Sequence, residues 1–161
     1  NCLEGGTFHD VPFAEVTWEG SRLRSWLNEN FLENAFSEKE LSFISVVRNQ
    51  NEDQSVVGTE GGNVTIDRVF LLSETDCSIY FRDDLSRDSF GRAQASVHAA
   101  LHGVETDAEG YASWWLRSPG VYPYSAQFVD TSGQDYLSGA YVDIGYQFGV
   151  RPAIWVVTDV E

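Results

Sequence analysis

Two short blocks constrain this chain more than anything else in it: Trp114-Trp115-Leu116-Arg117-Ser118-Pro119-Gly120 and, further on, Gly149-Val150-Arg151-Pro152-Ala153. Each sets apolar residues around one arginine and then stops the chain with proline or glycine. An isolated buried guanidinium costs more than its contacts return. Both arginines are therefore expected to be sunk into the scaffold, each held by an acidic or carbonyl partner. The glycine- and tyrosine-rich stretch between them is then expected to project outward as a displayed loop region. That arrangement suits recognition better than catalysis.

The chain can fill a core. Its 161 residues are 42% hydrophobic and 14% aromatic, so 1–161 reads as a single folded domain. There are 25 acidic residues against 10 basic ones, a formal net charge of −15. No basic stripe is available to replace phosphate counterions, which argues against nucleic acid as a partner and against anionic membrane surfaces. The acidity itself reads as solubility and mutual repulsion. Nine of the ten bases are arginine, whose planar fork suits internal ties to carboxylates. Cys2 and Cys77 are too few for a disulfide framework and too far apart for a zinc pair, so free thiols are expected, with one bridge the alternative. No apolar run is long enough to insert into a membrane. The chain opens at Asn1 and contains no methionine, so it reads as processed or excised, and the lack of a leader says nothing of compartment.

Residues 1–20 read as irregular to extended. A helix is expected from Ser21, with Leu23, Trp26, Leu27 and Phe31 on one face. Ser37-Glu38-Lys39-Glu40 is a capping box that starts a second, short helix, after which Leu41 and Ile44 face the core. The polar run 48–63 is a long loop for a compact domain, hence mobile or functional. A strand is expected over 65–72, Ile66 alternating with polar Asp67 before Val69-Phe70-Leu71-Leu72. Ser73-Glu74-Thr75-Asp76 caps a helix ending near Phe81, and a further helix is expected from Gly91 to His102, with Ala93, Val97, Ala100 and Leu101 inward and Gly103 stopping it. From Ala112 the character changes to strands, over 112–116, 126–129, 140–144 and 153–157, separated by turns such as Thr131-Ser132-Gly133 and Ser138-Gly139. Helices followed by a meander of strands argue for an α+β fold.

The constellations that could carry chemistry are thin. His98 and His102 share a helical face, but Ala99 stands where a zinc protease helix needs its glutamate, so they read as a surface pair. Asp83-Asp84 with Asp88, and Asp130 with Asp135, offer oxygen atoms without the spacing of an EF-hand loop. Residues 130–135 read first as a hairpin turn; no cofactor is expected, and a structural calcium is left open. Ser118 lacks the glycine context of a nucleophile elbow. Paired carboxylates for glycoside hydrolysis are permitted by the acidity, and nothing more. The tyrosines say more: Tyr122, Tyr124, Tyr136, Tyr141 and Tyr146 all follow Pro119, interleaved with Gly, Ser, Asp and Gln. Binding surfaces favour that mix, since tyrosine brings area and a hydroxyl at low entropic cost. The plainer alternative is that alternate tyrosines pack a half-buried sheet. For Trp114 and Trp115, strand alternation points at least one into the core.

The ordered series Val16–Asn28, Ala35-Phe36-Ser37, Val69–Ser73, Trp114–Gly120 and Gly149–Ala153 resembles a bacterial domain of unknown function, DUF6273, found in exported or multidomain proteins. Members begin with one or two further strands, so the resemblance implies that N-terminal strands are missing here or supplied by another polypeptide. More distantly, the Trp-Leu-Arg block and the Gly-Val-Arg-Pro-Ala ending are similar to C-type lectin-like folds of the formylglycine-generating-enzyme subtype. That similarity implies two main helices, a twisted antiparallel sheet with long loops, and Arg117 and Arg151 as structural arginines. The oxidases of that fold use a cysteine pair near the domain end, and 112–161 holds no cysteine, so their chemistry is not inherited. The Glu-Pro-Asn and Gln-Pro-Asp triplets of calcium-dependent sugar binding are also absent.

The expected function is therefore a non-catalytic module of an extracellular or cell-surface protein that recognises a glycan or protein through 121–147. Tyr122, Tyr124, Asp135, Tyr136 and Tyr146 are its candidate ligand-binding residues. One alternative is a carboxylate-dependent glycan hydrolase. Another is a structural domain whose exposed sheet edge docks onto a neighbouring domain or chain.

Overall fold

A computed structural model describes residues 15–81, 91–143 and 145–158. The first helix starts at Ser21, as expected, where Ser21 Oγ caps it by accepting the Arg24 N–H at 3.1 Å. It runs through α1 (Arg22–Trp26), a π-helical turn (Leu27–Phe31) and α2 (Leu32–Ala35) without a break. Leu23 and Leu27 are buried as expected, but Leu32 rather than Phe31 takes the next core position. The cause is the π turn. Its i→i+5 bonding adds a residue to the turn and rotates everything that follows. Phe31 is left half-buried, its ring 5.4 Å from Trp26 and 6.0 Å from Phe36. Asn28 stitches this helix to residues 68–69: its Nδ2 donates to Val69 O at 2.8 Å, and its Oδ1 accepts the Arg68 and Val69 N–H groups.

The capping box at Ser37 and Glu40 opens α3 (Glu38–Leu41) as read, and the Ser37 N–H and hydroxyl together hold the Glu40 carboxyl below its usual range. Ile44 is then buried. The polar run that follows begins with a strand the sequence did not announce, β1 (Val47–Asn49), antiparallel to β2 (Thr65–Asp67). The expected strand over 65–72 is thus confined to three residues, and its facing is inverted. Ile66 is 56% exposed, whereas Thr65 and Asp67 are buried. Asp67 is the reason. Its carboxylate accepts from Trp18 Nε1 (3.2 Å), Asn49 Nδ2 (2.9 Å), Thr65 Oγ1 (2.7 Å) and Arg24 Nε (2.6 Å). Four donors, one of them cationic, make burial of that charge affordable.

The long loop is pinned. Gln54, buried, accepts the Val56 and Val57 N–H groups and donates to Leu137 O at 3.2 Å, Thr59 donates to Val121 O, and Thr75 donates to Glu52. The loop is thereby tied to Val121, Leu137 and Thr75.

Helix α4 (Glu74–Tyr80) starts from a second capping box, Ser73 with Asp76, and ends at Phe81, as read. The helix expected over 91–102 is not there. Gly91 sits at φ 72°, β3 (Ala93–Gln94) pairs with β4 (Tyr111–Ala112), and only α5 (Val97–Leu101) is helical. Val97 and Leu101 are each 79% exposed and Ala100 is exposed too, so the inward face assigned to them is wrong. Gly103, at φ 89°, does stop the helix.

The main sheet is β5 (Trp114–Pro119), β6 (Ser125–Val129) and β7 (Asp135–Tyr141), antiparallel in that order. Strand alternation sorts the two tryptophans onto opposite faces, and both are buried. Trp115 joins the large core of Leu23, Leu27, Leu71, Ala126 and Val142, while Trp114 packs with Leu116, Val129 and Cys77 beneath α4. The Ser138-Gly139 turn is corrected: both residues lie inside β7. Gly139 adopts φ 73° where a Cβ would strike Ala126 O and Gly120, so it marks a bulge. The expected strand over 153–157 is reduced to two bridges, Phe70 with Ala153 and Ile44 with Val156. The architecture is mixed helix and small antiparallel sheets. No helix among the described residues is long and apolar enough to cross a membrane.

Candidate functional site

The two arginines that frame the site differ. Arg117 is 7% exposed on β5, donates to Leu71 O at 2.7 Å and Gln50 O at 3.4 Å, and pairs with Asp76. Arg151 has no such tie among the described residues. Its guanidinium carbon lies 4.9 Å from the Trp114 ring centroid and 5.2 Å from that of Phe81, and its Nη1 is buried without a hydrogen-bond partner. The expectation of an acidic or carbonyl partner holds for Arg117 and fails for Arg151, where aromatic faces supply the contact.

The stretch between them is not a displayed loop. It supplies β6 and β7, and Ser125, Ala126, Gln127, Val129, Ala140 and Val142 are buried. What it exposes is narrower. Tyr122 is 49% exposed, and its ring stacks on half-buried Tyr124 with centroids 5.4 Å apart and planes within 1°. Tyr141, which the sequence reading left out of the site, lies 5.3 Å from Tyr124. Tyr136 stacks on Phe128 at 4.9 Å, and Tyr146 packs at 5.1 Å on Phe148, itself 4.6 Å from Phe128. Asp135, exposed, pairs with Val129 at the start of β7.

These residues fall into two groups. Tyr141 opposes Ser125 and Tyr136 opposes Phe128 in the ladder. Positions 125 and 128 face opposite sides of the strand, so the Tyr122–Tyr124–Tyr141 ledge and the Tyr136–Phe128–Phe148–Tyr146 cluster face apart. The second cluster continues into Trp115, 4.8 Å from Phe148, and so is an extension of the core that surfaces at Tyr136 and Tyr146.

Beside the first group runs a groove of about 510 Å³, lined by Val121 and Pro123 on one wall and by Thr17, Thr59, Glu15 and Glu60 among its polar residues. Val16 N–H donates to Pro123 O at 2.8 Å, and Thr59 to Val121 O at 2.9 Å, which fixes the groove walls to the tyrosine-bearing turn. Val57, Gly58, Thr59 and Glu60 belong to the polar run 48–63, expected to be mobile or functional, and Val16 and Thr17 open the Val16–Asn28 series. The sequence names none of them as a binding residue, because they come from segments far apart in the chain.

The remaining candidates are accounted for. His98 and His102 are an exposed pair on one helical face, ring centroids 4.1 Å apart and planes tilted by 32°. Asp130 Oδ1 accepts from the Ser132 and Gln134 N–H groups and closes the hairpin turn as read. Cys77 is a free, buried thiol, which burial, then Asp135 and Asp76, pushes far up. Cys2, Asp83-Asp84 and Asp88 lie outside the described residues. Among the described ones no three His, Cys, Asp or Glu side chains converge to hold a metal.

The family model described as "Domain of unknown function (DUF6273)" matches residues 1–158. No curated protein matches the chain, and no solved structure does.

Proposed function

This chain belongs to the DUF6273 family, and we propose that it serves as a non-catalytic recognition module of a secreted or cell-surface bacterial protein, with a glycan as ligand. The observation that carries this reading is the parallel Tyr122–Tyr124 stack, its outer ring Tyr122 exposed beside a groove of hydroxyls and carboxylates. A flat aromatic ledge takes the apolar face of a sugar ring at little entropic cost, while Thr17, Thr59, Glu15 and Glu60 offer partners to its hydroxyls. The frame we propose is C-type lectin-like, of the formylglycine-generating-enzyme subtype. Its support is the main helices, the antiparallel sheet and the long loops.

A glycan array probed with the wild-type protein and with Tyr122→Ala tests this. Wild type should be retained on a defined glycan, and Tyr122→Ala should lose it while melting within a few degrees of wild type, as surface substitutions do. Tyr136→Ala should keep binding, because its cluster faces away. An array that stays silent with folded wild type, or binding that Tyr122→Ala leaves intact, contradicts the reading.

One observation favours a second reading. Glu15 and Glu60 line the same groove, and a carboxylate-dependent hydrolase acts through such a pair when the two stand about 5–9 Å apart. Turnover of an array-positive glycan that stops in Glu60→Gln would replace recognition by hydrolysis.

A further inference from the structure

A second groove, of about 540 Å³, opens on the side of Trp114 and α5. Its walls are apolar where Phe31, Ala99, Val104 and Trp114 meet, and Arg151 is the charged group the fold leaves uncommitted there. Arg92 also lines the groove but is already engaged: it pairs with Glu109 at 3.1 Å and Asp107 at 3.4 Å, donates to Thr131 O, and lies over the Tyr111 ring. The Asp107 carboxyl, held low chiefly by the Tyr111 N–H, stays ionised as its partner. Arg151 makes no salt bridge among the described residues, although the chain carries 25 carboxylates to 10 bases. A half-buried guanidinium without an anion is costly to keep. Cation–π contact with Trp114 and Phe81 offsets part of that cost and orients the planar fork.

Phe31 reaches this groove because of the π turn. An unbroken α-helix would have carried it with Leu27 toward the core. Single π turns cluster at functional sites, and this one spends a regular helical register to place an aromatic ring on the groove wall.

We propose that the groove at Arg151 binds the carboxylate of a small ligand with an apolar or aromatic body, Arg151 taking the carboxylate and Phe31 and Ala99 flanking the body. One uncommitted guanidinium balances one negative charge, and its fork matches a carboxylate in two parallel hydrogen bonds. A dianionic phosphate would leave a charge unpaired in a chain of net charge −15. The volume suits a ligand of drug-like size. The site is independent of the tyrosine ledge and does not rest on the glycan reading.

The test is NMR titration of the folded protein with benzoate, 3-phenylpropionate and N-acetylphenylalanine, with benzamide and inorganic phosphate as contrasts. A saturable shift of the Arg151 Nε–H and the Trp114 indole N–H with at least one carboxylate is expected. Benzamide and phosphate should each be about tenfold weaker or worse. The N-acetyl amino acid binding tighter than the two simple acids would mark the source as a peptide C-terminus, and the reverse order a free organic acid; either supports the site. Arg151→Lys, which keeps charge but loses the fork, should weaken binding. Ala99→Leu, a good helix former that narrows the groove without touching Arg151, should abolish it in a protein that still folds. Absence of saturation with all three acids, equal binding of benzamide, or wild-type binding by folded Ala99→Leu overturns the proposal. Loss of glycan binding in Tyr122→Ala bears only on the ledge.

Discussion

Arg117 and Arg151 sit in similar local sequence, each beside apolar residues and just before a proline, yet the fold treats them oppositely. Arg117 lies on the first strand of the main sheet, directly under the start of α4. There the capping box delivers Asp76, whose Oδ2 accepts both the Ser73 N–H and the Arg117 guanidinium. One carboxylate thus caps the start of a helix and neutralises a buried cation. Arg151 follows the last bridge to β5, where no helix terminus brings an acid, and its neighbours are rings. The difference teaches that such a motif fixes an arginine among aromatics, while the partner is set by what the tertiary structure places above it. Arg117 is a scaffold residue; Arg151 is held in place and left able to bind.

The largest expected effect breaks that contrast at its acidic half. Asp76→Ala removes a cap and strands the Arg117 charge, and should cost about 3–5 kcal/mol in urea denaturation. A loss no larger than that of an ordinary cap, about 1 kcal/mol, would mean that the ion pair adds nothing.

Smaller, but pH-selective, is the effect at Cys77, which lies within the field of both arginines. Burial, then Asp135 and Asp76, raises its thiol, with Arg151 and Arg117 opposing. The folded protein keeps this proton when the unfolded chain releases it. Stability from this group is therefore complete below the free-thiol pKa of about 8.5 and declines above it, by about 1.4 kcal/mol per pH unit. Between pH 8.5 and 10 that amounts to about 2 kcal/mol, and Cys77→Ala should flatten the slope. A wild-type slope unchanged by the substitution would show the thiol to be titrating freely.

Much of the fold was legible where chemistry is local. The Ser37–Glu40 capping box, the helix starts at Ser21 and Ser73, the Asp130 turn and the Gly103 stop act within a few residues, and each appears as read. The failures are tertiary. Ile66 faces out because Asp67, with donors from Trp18, Arg24 and Asn49, is worth more inside than an isoleucine. Phe31 and Leu32 exchange places because one π turn shifts the register, which periodicity in α-helical steps does not register. Val97 and Leu101 have helical spacing but no opposing layer, so their face stays in solvent. In the candidate site, the tyrosines were visible as a composition. Their division into two opposed groups follows from strand pairing, and the walls of both grooves are assembled from distant segments.

The different work of the two arginines is tested most directly by replacing each with lysine and measuring unfolding free energy side by side. Lysine keeps the charge and loses the fork, so Arg117→Lys should forfeit hydrogen bonds worth about 2 kcal/mol or more, while Arg151→Lys should stay within about 1 kcal/mol of wild type. Equal losses at the two positions, or a larger loss at Arg151, would contradict the account.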